Sequence, residues 1–96
     1  MLLGLFVSYG QTREVCGTEL DKDGNTPVAG AIVQVRDTAG KTYQYAITDE
    51  KGEFALKYDL SVADHLRFQC MSYKSQEIPV ISAHSPMTVV MTPQPT

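Results

Sequence analysis

Thr48-Asp49-Glu50-Lys51-Gly52-Glu53-Phe54-Ala55-Leu56-Lys57-Tyr58 is the stretch on which the fold turns. Phe54, Leu56 and Tyr58 alternate strictly with Glu53, Ala55 and Lys57, a period of two that puts one set on each face of a pleated strand. The apolar set is expected to face a core. The residues just before have turn chemistry: the Asp49 carboxylate accepts from backbone amides two residues on, and Gly52 takes a left-handed conformation without steric penalty. Upstream of the turn, residues 42–48 carry Tyr43, Tyr45 and Ile47, side chains suited to a pleated, half-buried surface. Tyr43 and Tyr45 share a face, and we read it as a half-buried core face in preference to a sugar-stacking platform.

Outward from this hairpin the same grammar repeats. In residues 31–36, Ala31, Val33 and Val35 alternate with Ile32, Gln34 and Arg36, so the first set should point inward. Residues 14–20 form a first strand stopped by Asp21-Lys22-Asp23-Gly24-Asn25, and Gly30 marks the turn into the second. Residues 65–73 place Leu66, Phe68 and Cys70 against Arg67, Gln69 and Met71; 76–81 form a short strand in which Pro79 argues for a sheet edge; 87–91 close the set. Helical periodicity is absent. Short strands at spacings of roughly 8 to 12 residues predict an all-β, seven-stranded antiparallel sandwich of immunoglobulin-like (prealbumin-like) type.

With 96 residues there is room for one core. The net charge is −3, with no Lys/Arg stripe, which argues against nucleic acid as a partner. Residues 1–10 form an uncharged apolar stretch ending in Ser8-Tyr9-Gly10, which reads as the remnant of a signal peptide with Gln11 as the mature start. Residues 11–92 are then the domain. Residues 93–96, with Pro93 and Pro95, read as an extended linker. Export would place the chain in the periplasm or on the periplasmic face of an outer membrane. In that oxidising compartment Cys16 and Cys70 could form a disulfide, although the alternation in the first strand does not settle whether they face each other.

Three segments in order resemble the carboxypeptidase regulatory-like domain: Pro27-Val28-Ala29-Gly30-Ala31-Ile32-Val33, Thr48-Asp49-Glu50-Lys51-Gly52-Glu53-Phe54-Ala55-Leu56, and Leu66-Arg67-Phe68 through Tyr73. The resemblance implies a transthyretin-related sandwich. It is similar to the version found at the N-terminus of TonB-dependent outer-membrane receptors of Bacteroidetes-type bacteria. Two positions depart from the pattern. Ser72 stands where a Gly often precedes the Tyr, implying a different turn, and Glu19 stands where an apolar residue is usual, implying a bulge or register shift in the first strand.

Chemistry at the level of sequence is sparse. Asp64-His65 and His84-Ser85 supply residue types of a hydrolytic triad without any sign of the geometry. The same two histidines lack further ligands at zinc-site spacing, and Asp21–Asn25 lacks the distal bidentate Glu of a calcium loop, so that segment reads as a hairpin turn. No catalytic, metal or cofactor residues are expected. The expected role is a structural or interaction module, with a protein partner or the rest of a larger outer-membrane chain beyond Thr96, touching the membrane only through that parent. The alternative is a free-standing periplasmic domain that binds glycan or peptide on the Tyr43/Tyr45 face.

Overall fold

A computed structural model describes residues 12–94. It contains seven strands: β1 (Thr12–Asp21), β2 (Ile32–Arg36), β3 (Thr42–Ile47), β4 (Glu53–Asp59), β5 (His65–Gln69), β6 (Gln76–Pro79) and β7 (Met87–Met91). A single 3₁₀ turn, Val80–Ser82, is the only helical element among the described residues. The strands form two sheets, ordered β4-β1-β7 and β3-β2-β5-β6. This is the expected immunoglobulin-like sandwich, with one difference. Strands β1 and β7 pair in parallel, Gly17 opposite Met87 through Asp21 opposite Met91, while every other pair is antiparallel. Pairing the first strand with the last in parallel requires the chain between them to cross over, and that chain supplies the whole second sheet.

The alternations read from sequence set the core. Val33 and Val35 on β2, Phe54, Leu56 and Tyr58 on β4, and Leu66 and Phe68 on β5 are all buried. The rings of Phe54 and Phe68 meet edge to face across the two sheets, with centroids 5.9 Å apart. Gly17 allows this packing, because a Cβ there would collide with the Met87 carbonyl and sit 2.9 Å from the Phe54 ring. Pro79 lies on β6, an edge of the four-stranded sheet, as its missing amide demands.

Register fixes which loops share an end. Thr12 lies opposite Asp59 and Thr18 opposite Glu53, so β1 starts beside the 59–64 turn. Asp64 donates its amide to the Arg36 carbonyl, and Val80 donates to that of Asp64, bringing the 37–41 turn and the 3₁₀ turn to the same near end. The far end gathers the 21–26 turn, the 70–74 turn and the close of β7, through Lys22 N–H to Met91 O (2.9 Å) and Lys74 N–H to Thr92 O (2.9 Å).

Three expectations change here. The linker expected over residues 93–96 is tied down at its start, where Gln94 donates to the Ser72 carbonyl at 2.8 Å and Pro93 bridges to Tyr73, so the sandwich holds the chain two residues longer. Glu19 causes no bulge: β1 runs in register with β4 through Thr18 and with β7 through Asp21, and the Glu19 side chain enters the core in phase with Val15 and Gly17. Ser72, finally, adopts φ 75°, the left-handed conformation that glycine would take there at less cost. The segment read as a signal-peptide remnant, 1–10, lies outside the described residues.

Candidate interaction surface

The turn residues singled out from sequence do what their chemistry allows. Asp49 Oδ1 accepts from the amides of Lys51 and Glu53, both at 2.9 Å, and Gly52 donates its own amide to the Asp49 carbonyl at 2.9 Å. Gly52 has φ 75°, and a Cβ on it would lie 2.5 Å from the Glu19 carbonyl, so the position tolerates glycine alone. Gly30, at φ 78°, turns the chain into β2, while its amide bonds to the Thr48 carbonyl. Thr48 completes that corner from a buried position, donating to the Val28 carbonyl at 2.7 Å and accepting from the Ala31 amide at 2.9 Å. Thr48 stands in the family-like segment, but its two buried bonds, to residues 17 and 20 positions away, have no signal in the local sequence.

The cysteines are not bridged. Cys16 is exposed on the outer face of β1, its Sγ 3.1 Å from Ser85 Oγ, whereas Cys70 is half-buried at the end of β5 in the other sheet. With Val15 and Gly17 turned inward, alternation sends Cys16 away from the core and from Cys70. The triad residue types also stay apart. His65 Nδ1 contacts its neighbour Asp64 at 3.0 Å, but Ser61 bonds Asp59, Ser75 bonds Arg67 and Ser85 bonds Cys16. In the 21–25 turn both Asp21 oxygens are taken by protein donors, the Asp23 amide and the Tyr73 hydroxyl. Those bonds, the Tyr73 hydroxyl first, hold the Asp21 carboxyl below its usual range, and the same contact pushes the Tyr73 phenol up to about 12. Among the described residues no cluster of three or more His, Cys, Asp or Glu is placed to hold a metal, and no helix is long and apolar enough to cross a membrane.

What the molecule does present is one outward sheet face. Tyr43 and Tyr45 are not core residues: Tyr45 is 62% exposed, Ile47 58% and Tyr43 38%. Strand β3 turns Gln44 and Ala46, opposite the inward Val35 and Val33, toward the sandwich instead. A one-residue register shift beside Val35/Arg36 leaves Tyr43 as the extra residue of a bulge, and its hydroxyl reaches the Asp59 carbonyl at 3.3 Å. On the neighbouring strand Ile32 lies opposite Ile47, and Gln34 opposite Tyr45. The outer face of the four-stranded sheet thus carries an apolar patch of Tyr45, Ile47 and Ile32, bordered on β2 by Gln34 and Arg36. Over β5 and β6 it is charged, where Arg67 and Glu77 pair at 2.9 Å.

Both long sides of the sandwich are closed by side chains. Gln44 Nε2 donates to the Lys57 carbonyl at 3.2 Å across the β3/β4 side, and Gln76 Nε2 donates to the Val90 carbonyl across the β6/β7 side. These amides occupy edge carbonyls that would otherwise be open to a further strand.

The model of one family, described as CarboxypepD_reg-like domain, matches residues 15–94. The chain belongs to that family. A CarboxypepD_reg-like domain is a regulatory, immunoglobulin-type module and not a catalytic one. Among solved structures, this domain is similar to the T6 backbone pilin of serotype M6 Streptococcus pyogenes (22% identity, TM-score 0.50, 71% of this chain and 16% of the pilin). It is also similar to the Bacillus anthracis TIE protein (19%, 0.50, 86% and 17%) and to 3-chlorocatechol 1,2-dioxygenase from Rhodococcus opacus 1CP (14%, 0.53, 88% and 60%). At these identities the likeness is one of fold, and the chain spans about a sixth of the pilin and of the TIE protein. No curated protein matches it.

Proposed function

We propose that this CarboxypepD_reg-like domain is a non-catalytic spacer and interaction module: the N-terminal domain of an exported outer-membrane protein, a TonB-dependent receptor or relative engaged in nutrient uptake. The observation that carries the reading is the path of the chain. It enters the sandwich at the near end with Thr12 and leaves at the far end with Gln94, so the domain lies in line between whatever flanks it. Its outer sheet face, with Tyr45, Ile47 and Ile32, is the surface for protein contact, since exposed aromatic and aliphatic side chains on a rigid sheet are the usual anchors of interfaces. On this reading the partner is another protein or the rest of a longer chain beyond Thr96, the location is the periplasm, and the membrane is met only through the parent.

Deleting residues 13–96 from the parent tests the proposal. The barrel should still insert, while substrate uptake falls; unchanged uptake for every substrate tried would refute it. Exposure of Tyr45 also favours a second reading, a free-standing periplasmic domain that binds glycan or peptide on this face. Saturable binding of a glycan by the 96-residue chain, abolished by Tyr45→Ala, would select that reading over the first.

A further inference from the structure

We propose that Glu19 is a proton-linked latch on the far end of the sandwich: uncharged it stays packed between the sheets, and charged it drives that end open. The Glu19 side chain is 0% exposed, and neither carboxylate oxygen has a hydrogen-bond partner. Its backbone is fastened on both sides, the amide to the Gly52 carbonyl at 2.8 Å and the carbonyl to the Val28 amide at 2.9 Å. Strand β1 therefore has no way to rotate the carboxyl into water without breaking its own pairing.

The groups around it offer no cation. Val89 lies opposite it on β7, and the core between the sheets is built from apolar side chains such as Met91, Phe54, Val33 and Phe68. Tyr58 also faces the core, but opposite Arg13 at the other end of β1. The ionisable groups nearest it are Cys70, whose thiol is pushed up by burial and then by the Glu19 charge, Tyr73, and Asp21, two residues along β1, while Lys22, Asp23 and Lys74 of the adjoining turns are exposed to solvent and none of them pairs with Glu19. Ionised Glu19 would have no hydrogen-bond donor and no cation to compensate its lost hydration. A buried carboxyl in this position keeps its proton, and desolvation raises its pKa from 4.5 to about 7.

The direction of the effect follows. The unfolded or opened chain ionises near 4.5, while the closed protein holds the proton to about 7, so the closed state is fully favoured below pH 4.5. That advantage erodes as the pH rises from 4.5 to 7 and stays lost above, a change in the closing equilibrium on the order of a hundredfold. What opens is the site where the chain leaves, held by Lys22 to Met91, Lys74 to Thr92 and Gln94 to Ser72.

Amide hydrogen exchange of the 96-residue chain between pH 5 and 8, corrected for the intrinsic pH dependence of exchange, tests the latch together with an NMR titration of the Glu19 carboxyl. Opening at Lys22, Lys74 and Gln94 should rise on the order of a hundredfold across that range in the wild type and stay flat in Glu19→Gln and Glu19→Val. Equal pH dependence in either variant would overturn the proposal. So would a Glu19 carboxyl that titrates near 4.5, and that measurement decides the matter even where neither variant folds.

Discussion

Strands β3 and β4 are joined by one tight turn and carry nearly the same pattern, Tyr43, Tyr45 and Ile47 against Phe54, Leu56 and Tyr58, yet one set looks out at solvent and the other fills the core. Alternation gives a strand its period but not its phase. On β4 the intervening residues are Glu53, Ala55 and Lys57, and two charges forbid the opposite phase. On β3 the inward pair is Gln44 and Ala46, and neither resists that side: Ala46 fits against the core, and the Gln44 amide finds the Lys57 carbonyl. Tyr45 and Ile47 then lie on the outer face opposite Gln34 and Ile32, while the bulged Tyr43 turns its hydroxyl to the Asp59 carbonyl. A strand is assigned to a core by what its other face refuses as much as by what its apolar face offers.

This contrast can be broken most forcefully on β4. Phe54→Ala removes a ring buried against Phe68 and should cost about 3 to 5 kcal/mol in urea unfolding. Gly52→Ala, in the turn linking the two strands, combines a left-handed backbone with a contact of 2.5 Å to the Glu19 carbonyl; a loss of about 2 kcal/mol or more is expected from the same measurement. Gln44→Ala removes one bond across the side of the sandwich and should cost about 1 kcal/mol. It should also raise strand-edge association, seen as a larger species in sedimentation. The double change Tyr45→Ser, Ile47→Ser should leave the unfolding midpoint within about 0.5 kcal/mol of the parent, while weakening whatever contact the sheet face makes. A core-sized loss from that pair would return β3 to the core.

The sequence disclosed the parts of the fold governed by local rules. The number and order of strands, the Asp49–Gly52 turn and the phases of β2, β4 and β5 follow from period-two patterning and turn chemistry, whereas the strands expected over 65–73 and 76–81 end early, at Gln69 and Pro79, where the chain turns. What stayed hidden depends on partners distant along the chain. The parallel pairing of β1 with β7 is set by the crossover between them, and the tie of Gln94 to Ser72 joins segments with no common local signal. Glu19 was noticeable as a misfit, but a carboxyl in a strand is expected to bend the strand away. That β1 instead carries it inward in register is decided by the bonds of its backbone to Gly52 and Val28. Of the outer face, Ile32 was legible and Tyr45 was not, because the aromatic content of β3 is equally at home on either side of a sheet.

The parallel pairing of the first and last strands has a mechanical meaning. If the domain is pulled from its two ends, β1 is drawn toward the near end and β7 toward the far end, so the two slide past one another along their length. The five residue pairs from Gly17/Met87 to Asp21/Met91 then bear the load together, not one after another. A sandwich threaded this way resists stretching as a shear-loaded clasp and not as a zipper.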